Sequence, residues 1–139
     1  MILNTTYTNK ENDATINNMV GKSFGLWDKL KLKGTGSGRM IISEVSPRLE
    51  RALLNGPDLS DANIELRPKG ILVRITRRLD NFTWIIPYYQ LYTYLTNGLS
   101  IHGQGEFLHF RNDRFLKGNR DFIKKMLNLK VVFTKDYYL

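Results

Sequence analysis

The chain has 139 residues, a formal net charge of +8 and no cysteine. It is the length of one domain and long enough to bury a core without cross-links. The missing thiols exclude disulfide scaffolds, thiol catalysis, zinc ribbons and iron–sulfur clusters. Apolar residues make up 42% and charged residues 24%, a balance that excludes disordered, fibrous and coiled-coil chains.

No apolar run is long enough for a transmembrane helix. The first 15 residues have neither the basic start nor the apolar stretch of a secretory signal. A cytoplasmic location is expected. The charge is uneven: residues 1–60 hold 8 basic and 6 acidic side chains, and residues 61–139 hold 13 and 7. A basic half of this kind attracts anionic lipid, nucleic acid or an acidic partner, or simply keeps the surface solvated.

In chain order, residues 1–15 are polar and rich in Asn and Thr, which predicts a flexible N-terminal arm. Residues 16–139 are expected to form a single globular domain. Over 16–33 the pattern is mixed. Ile16, Met19, Val20, Phe24 and Trp27 have helical spacing, whereas Leu30 and Leu32 alternate with Lys29, Lys31 and Lys33. A hairpin of about 26–33 and 39–45, turning through the glycines of 34–38, is the preferred reading. Those alternating glycines between Lys33 and Arg39 also resemble a loop that offers backbone N–H groups to a phosphate, but the ending of a P-loop is missing.

Ser46 at the N-cap and Pro47 at the first helical position predict a short helix over 47–54, stopped by Gly56-Pro57. A loop is expected over 57–63. From residue 64 the pattern becomes β. A strand over 64–67 turns through Pro68-Lys69-Gly70 into a strand over 71–78. A further strand, 82–86, ends at Pro87. Residues 88–95 are open to either helix or strand. Asn97-Gly98 is a hairpin turn, and 99–102 and 106–111 are two more strands. Asn119 as N-cap, with Phe122, Ile123, Met126 and Leu127 on one face, predicts an amphipathic helix of about three turns.

The segments IELRPKGILVRI, FTWIIPYYQL and LSIHGQGEFLHF, followed by DFIKKMLNL, together resemble the bacterial pleckstrin-homology-like (PH-like) families. Ile86-Pro87-Tyr88-Tyr89-Gln90-Leu91 is similar to a short phrase of those families. The resemblance covers about residues 63–129. It implies a mainly β (α+β) fold: an antiparallel, partly open barrel or strongly bent sheet capped by the C-terminal helix. It implies no enzyme and carries no fixed ligand motif.

Few residues offer chemistry. A three-residue loop before Glu106 would set His102 opposite Glu106 and His109 opposite Leu99, with the imidazoles on opposite faces. No metal site, cofactor or catalytic group is therefore expected. Phe82, Trp84 and Phe107 are expected in the core. The tyrosines Tyr88, Tyr89, Tyr92 and Tyr94 lie too close together to be all central, because each hydroxyl needs a partner, and they form a candidate interface.

Arg74 and Arg78 are expected to share the outer stripe of one strand. Arg111, Arg114, Lys117 and Arg120 cluster before the last helix. These two groups are the candidate anion-binding residues. The leading functional reading is a non-enzymatic binding module acting by protein contact or self-association. The alternatives are an anionic ligand, either a phosphorylated lipid headgroup or nucleic acid, and a small enzyme without a recognisable motif.

Overall fold

The computed structural model describes residues 1–53 and 61–138. The elements run β1 (Ile2–Asn4), α1 (Lys10–Val20), α2 (Leu26–Lys31), β2 (Met40–Val45), α3 (Pro47–Ala52), β3 (Asp61–Arg67), β4 (Gly70–Arg77) and β5 (Asp80–Pro87). A 3-10 turn (Tyr88–Gln90) then leads to β6 (Tyr92–Tyr94), β7 (Gly98–Gly103), β8 (Glu106–Arg111), α4 (Arg114–Gly118) and α5 (Arg120–Tyr138). The strands make one antiparallel sheet in the order β1-β5-β4-β3-β2-β8-β7-β6. β1 and β6 are its two edges, so the sheet is not closed, and it is bent enough for Gln104, just past β7, to donate to the Ile85 carbonyl of β5 at 2.9 Å. β2 pairs with β3 at its start and with β8 from Ile42 onward, and the β8 pairing has a register shift between Ile42 and Glu44. An irregularity of this kind bends a strand and increases its local twist.

Alternation explains the core. Ile64 and Leu66, then Ile71, Val73 and Ile75, then Phe82, Trp84 and Ile86 line the inner side of one half of the sheet. Leu99, Ile101, Leu108 and Phe110 line the other half. Phe122, Ile123 and Met126 of α5, with Leu49 and Leu53, complete this cluster. Fully burying side chains of this size contributes about 1.5–3 kcal/mol each. A smaller cluster lies on the outside, where Ile16 and Val20 of α1 cover Leu72 and Ile85.

Several expectations change. The flexible arm over 1–15 instead contains β1, paired to β5 through Ile2↔Trp84, and the first half of α1. Its asparagines have structural uses: the Asn9 side chain caps α1 by accepting from the N–H groups of Glu11 and Asn12. The expected hairpin is absent because 26–31 is helical. Thr35, Gly36 and Ser37 lie along β3 in its place, with Leu66 N donating to Thr35 O and Ser37 N donating to Ile64 O. The glycine loop is therefore part of the sheet margin. Gly38 N is also occupied, donating to Asn119 Oδ1 at 2.8 Å.

The short helix forms as expected, as α3. The Ser46 hydroxyl does not cap it. That hydroxyl donates to Glu106 and accepts from Phe107 N. The expected Gly56-Pro57 stop, residue 54 and most of the 57–63 loop lie outside the described residues, and Asp61 already belongs to β3. The C-terminal helix is longer than its amphipathic stretch predicts, reaching Tyr138. No described helix is long and apolar enough to cross a membrane.

Candidate functional site

The site begins with the β7–β8 turn. Gly103 pairs with Glu106, leaving only Gln104 and Gly105 in the loop, both at positive φ of 58° and 80°. Two left-handed residues make the tight turn whose twist suits a hairpin. The loop is one residue shorter than the sequence reading, so the register shifts by one. His102 now pairs with Phe107, and His109 with Ser100. Directly paired residues share a face, and a slip of one position exchanges faces. The expectation of opposed imidazoles is therefore corrected: His102 and His109 are on the same outer face. Phe107 is corrected too. It is half-buried on that outer face, with its ring 5.6 Å from His102, and it is not in the core.

β6 completes this face. Tyr92 pairs with His102 and Tyr94 with Ser100. The Tyr94 ring meets His102 edge-on at 4.9 Å. Tyr92 and Tyr94 remain 58% and 55% exposed. Both His109 ring nitrogens are engaged, with Ser100 Oγ at 2.6 Å and Asn97 O at 3.0 Å. Since Asn97 O can only accept, Nε2 carries a proton and donates to it. Among the described residues no group of three or more His, Asp or Glu side chains converges as a metal cage would.

The four tyrosines separate. Tyr92 and Tyr94 belong to the outer face, and Tyr89 is exposed on the 3-10 turn. Tyr88 is corrected from candidate interface to core. It is 1% exposed, its hydroxyl donates to Arg67 O at 3.0 Å and its ring is 5.6 Å from Phe133. Burial pushes its phenol pKa well above the ordinary tyrosine value.

The candidate cations also separate. β4 ends at Arg77, which pairs with Asp80, so Arg78 lies in a two-residue turn at φ 57° and does not continue the Arg74 stripe. Arg74 faces outward, 3.3 Å from Glu65 Oε1. The same carboxylate binds Arg67, whose guanidinium also donates to Asn17 Oδ1 and Gly21 O at 3.1 and 3.0 Å. Both arginines line a polar cleft of about 310 Å³ against α1, with Thr5, Asn12 and Asp13 among its walls. Sequence alternation found Arg74 but not Arg67 or its carboxylate.

Arg111 pairs with Asp113 at 3.1 Å. Arg114 lies over the Phe115 ring at 5.0 Å, and Arg39 lies over the same ring at 5.3 Å. Lys117 and Arg120 come together with Lys124 around a groove of about 290 Å³ lined by Leu95, Ile123 and Leu127. Lys124 and Leu95 were not singled out in the sequence. Lys124 was legible as the polar face of the last helix, whereas nothing local placed Leu95 beside it.

Asp113 caps α4, accepting from the N–H groups of Phe115 and Leu116. Desolvation pushes its carboxyl up, but these two bonds and Arg111 together outweigh it and hold the group below its ordinary value. Comparison of the chain with protein-family models, with curated proteins and with solved structures finds no match.

Proposed function

We propose that the chain is a non-enzymatic binding module that self-associates through the outer face of β6, β7 and β8. The observation carrying this reading is the pair of exposed tyrosines, Tyr92 and Tyr94, laid against His102 and Phe107 at an open sheet edge. Exposed aromatic side chains on a rigid strand surface are typical of protein interfaces. An open edge strand presents unpaired N–H and C=O groups that a second copy complements under two-fold symmetry. Within β6, β7 and β8 Arg111 is the one Lys or Arg, and Lys130 of α5 adds a cation 4.6 Å over the Tyr92 ring. The PH-like reading belongs to this proposal as well, supported by the bent antiparallel sheet and its closing C-terminal helix.

Molar mass measured by sedimentation over a wide concentration range tests it. The mass of the wild-type chain is expected to rise with concentration, and that of a Tyr92→Ser/Tyr94→Ser variant to stay monomeric. A constant monomer mass for the wild type, or unchanged association of the variant, overturns the reading.

A second reading rests on the groove ringed by Lys117, Arg120 and Lys124. An apolar floor with a cationic rim fits an amphiphile with an anionic head. Binding of a long-chain carboxylate that is lost in Lys117→Glu/Arg120→Glu would favour it.

A further inference from the structure

The helix α2 has the sequence LWDKLK and no buried residue. Leu26, Trp27 and Leu30 are 74%, 79% and 63% exposed. Their spacing sets all three within one stripe about 100° wide. By the same helical geometry Lys29 and Lys31 flank the stripe on either side, and Asp28 is on the opposite face.

The helix is held at both ends. Phe24, just before it, packs against the main core. After it, Lys33 and Gly34 turn at positive φ of 57° and 98°, with Gly34 N donating to Lys29 O at 2.9 Å. Lys125 of α5 then donates to the carbonyls of Lys33 and Gly34 at 3.3 and 2.9 Å. The apolar stripe is thus presented outward by a fixed element.

We propose that α2 is a membrane-surface anchor for anionic lipid. Tryptophan and leucine on one face of a helix, flanked by lysines, suit the boundary between headgroups and acyl chains. An indole has an apolar body and a polar N–H, and it is favoured at that depth. Anionic headgroups complement the flanking charge of Lys29 and Lys31, and exposed Lys22 and Lys33 add to it. A protein groove would cover the same apolar stripe but would not call for lysines on both sides of it. With only six residues in the helix, the anchor is weak, reversible and dependent on both apolar and electrostatic contributions.

The test uses the full chain and the fluorescence of its two tryptophans. Trp84 is fully buried and its emission is expected to stay constant. Vesicles of phosphatidylserine in phosphatidylcholine should bind the chain at low salt and shift the Trp27 emission to the blue. Pure phosphatidylcholine should bind much more weakly, and added salt should release the chain. Trp27→Ala should lower vesicle affinity about tenfold. Replacing Lys29 or Lys31 with Gln should cost about fivefold each. All three variants should melt at the wild-type temperature, because these side chains leave no hole in the core.

Four results would overturn the proposal: no binding at low salt, binding without a blue shift, wild-type affinity in Trp27→Ala, or loss of a concentration-dependent mass in Trp27→Ala. The last would make the occupant a second copy of the chain. Tyr92→Ser/Tyr94→Ser should bind vesicles normally, which separates this proposal from the aromatic interface.

Discussion

Tyr88 shows how much one side chain decides. Its hydroxyl, buried against Arg67 O, has a pKa raised above the ordinary value near 10. A folded-state pKa above the unfolded one means the stabilisation is fully present below the unfolded value. It is lost as pH rises beyond that value, at up to about 1.4 kcal/mol per pH unit. Denaturant titrations from neutral to strongly alkaline pH are expected to show this decline in the wild type. Tyr88→Phe should cost about 1 kcal/mol at neutral pH and should lack that part of the decline. An equal decline in both proteins would contradict the assignment. Neighbouring Tyr89 has the same chemistry and is exposed. Sequence showed that the four tyrosines must divide, but not where, because a 3-10 turn after Pro87 decides which of two adjacent rings points inward. Gly70 is a second such position. A Cβ there would lie 2.4 Å from Ile86 O and 2.6 Å from Val20 Cγ1. Gly70→Ala should therefore destabilise by about 1–3 kcal/mol, read from thermal melting.

Among the elements, α5 was the most legible, since its apolar positions repeat at helical spacing on a polar background. Met126 is fully buried and Leu127 only half-buried. Met126→Ala should cost about 2–5 kcal/mol, and Leu127→Ala distinctly less; equal losses would contradict the packing. α4 has a pH-sensitive start. The Asp113 carboxyl has a lowered folded-state pKa. Its contribution is present above the unfolded carboxylate value and is lost as pH falls through the folded one. Asp113→Asn keeps a capping oxygen, so stability measured through the acid range should vary less with pH than in the wild type.

Besides the N-terminal arm, the 26–33 segment and the β7–β8 hairpin depart from their local patterns for physical reasons. At 26–33 the lysine–leucine alternation fits a strand, but Leu26, Trp27 and Leu30 fit a helix equally well. The edge of β3 that the supposed hairpin needed is taken by Thr35, Gly36 and Ser37. At the β7–β8 hairpin, Gly103-Gln104-Gly105 permits a loop of either two or three residues. One residue of difference moved both histidines and Phe107 relative to the faces of the sheet.

For the whole molecule, the mainly β architecture with a closing helix followed from strand alternation and turn residues. The candidate surfaces depended instead on how distant segments meet. The six cations named in sequence do not form one patch: Arg74 joins Glu65, Arg111 joins Asp113, and Lys117 and Arg120 line the groove with Lys124. The aromatic face needs β6, β7 and β8 in one register, which no local pattern encodes. The proposed role of this face is to join two copies of the chain. A dilution series followed by backbone and aromatic NMR shifts tests it most directly. Concentration-dependent shifts are expected at Tyr92, Tyr94, His102 and Phe107, with Arg74 and the α1 cleft unmoved. Spectra that do not change with concentration, or shifts confined to other faces, would contradict it.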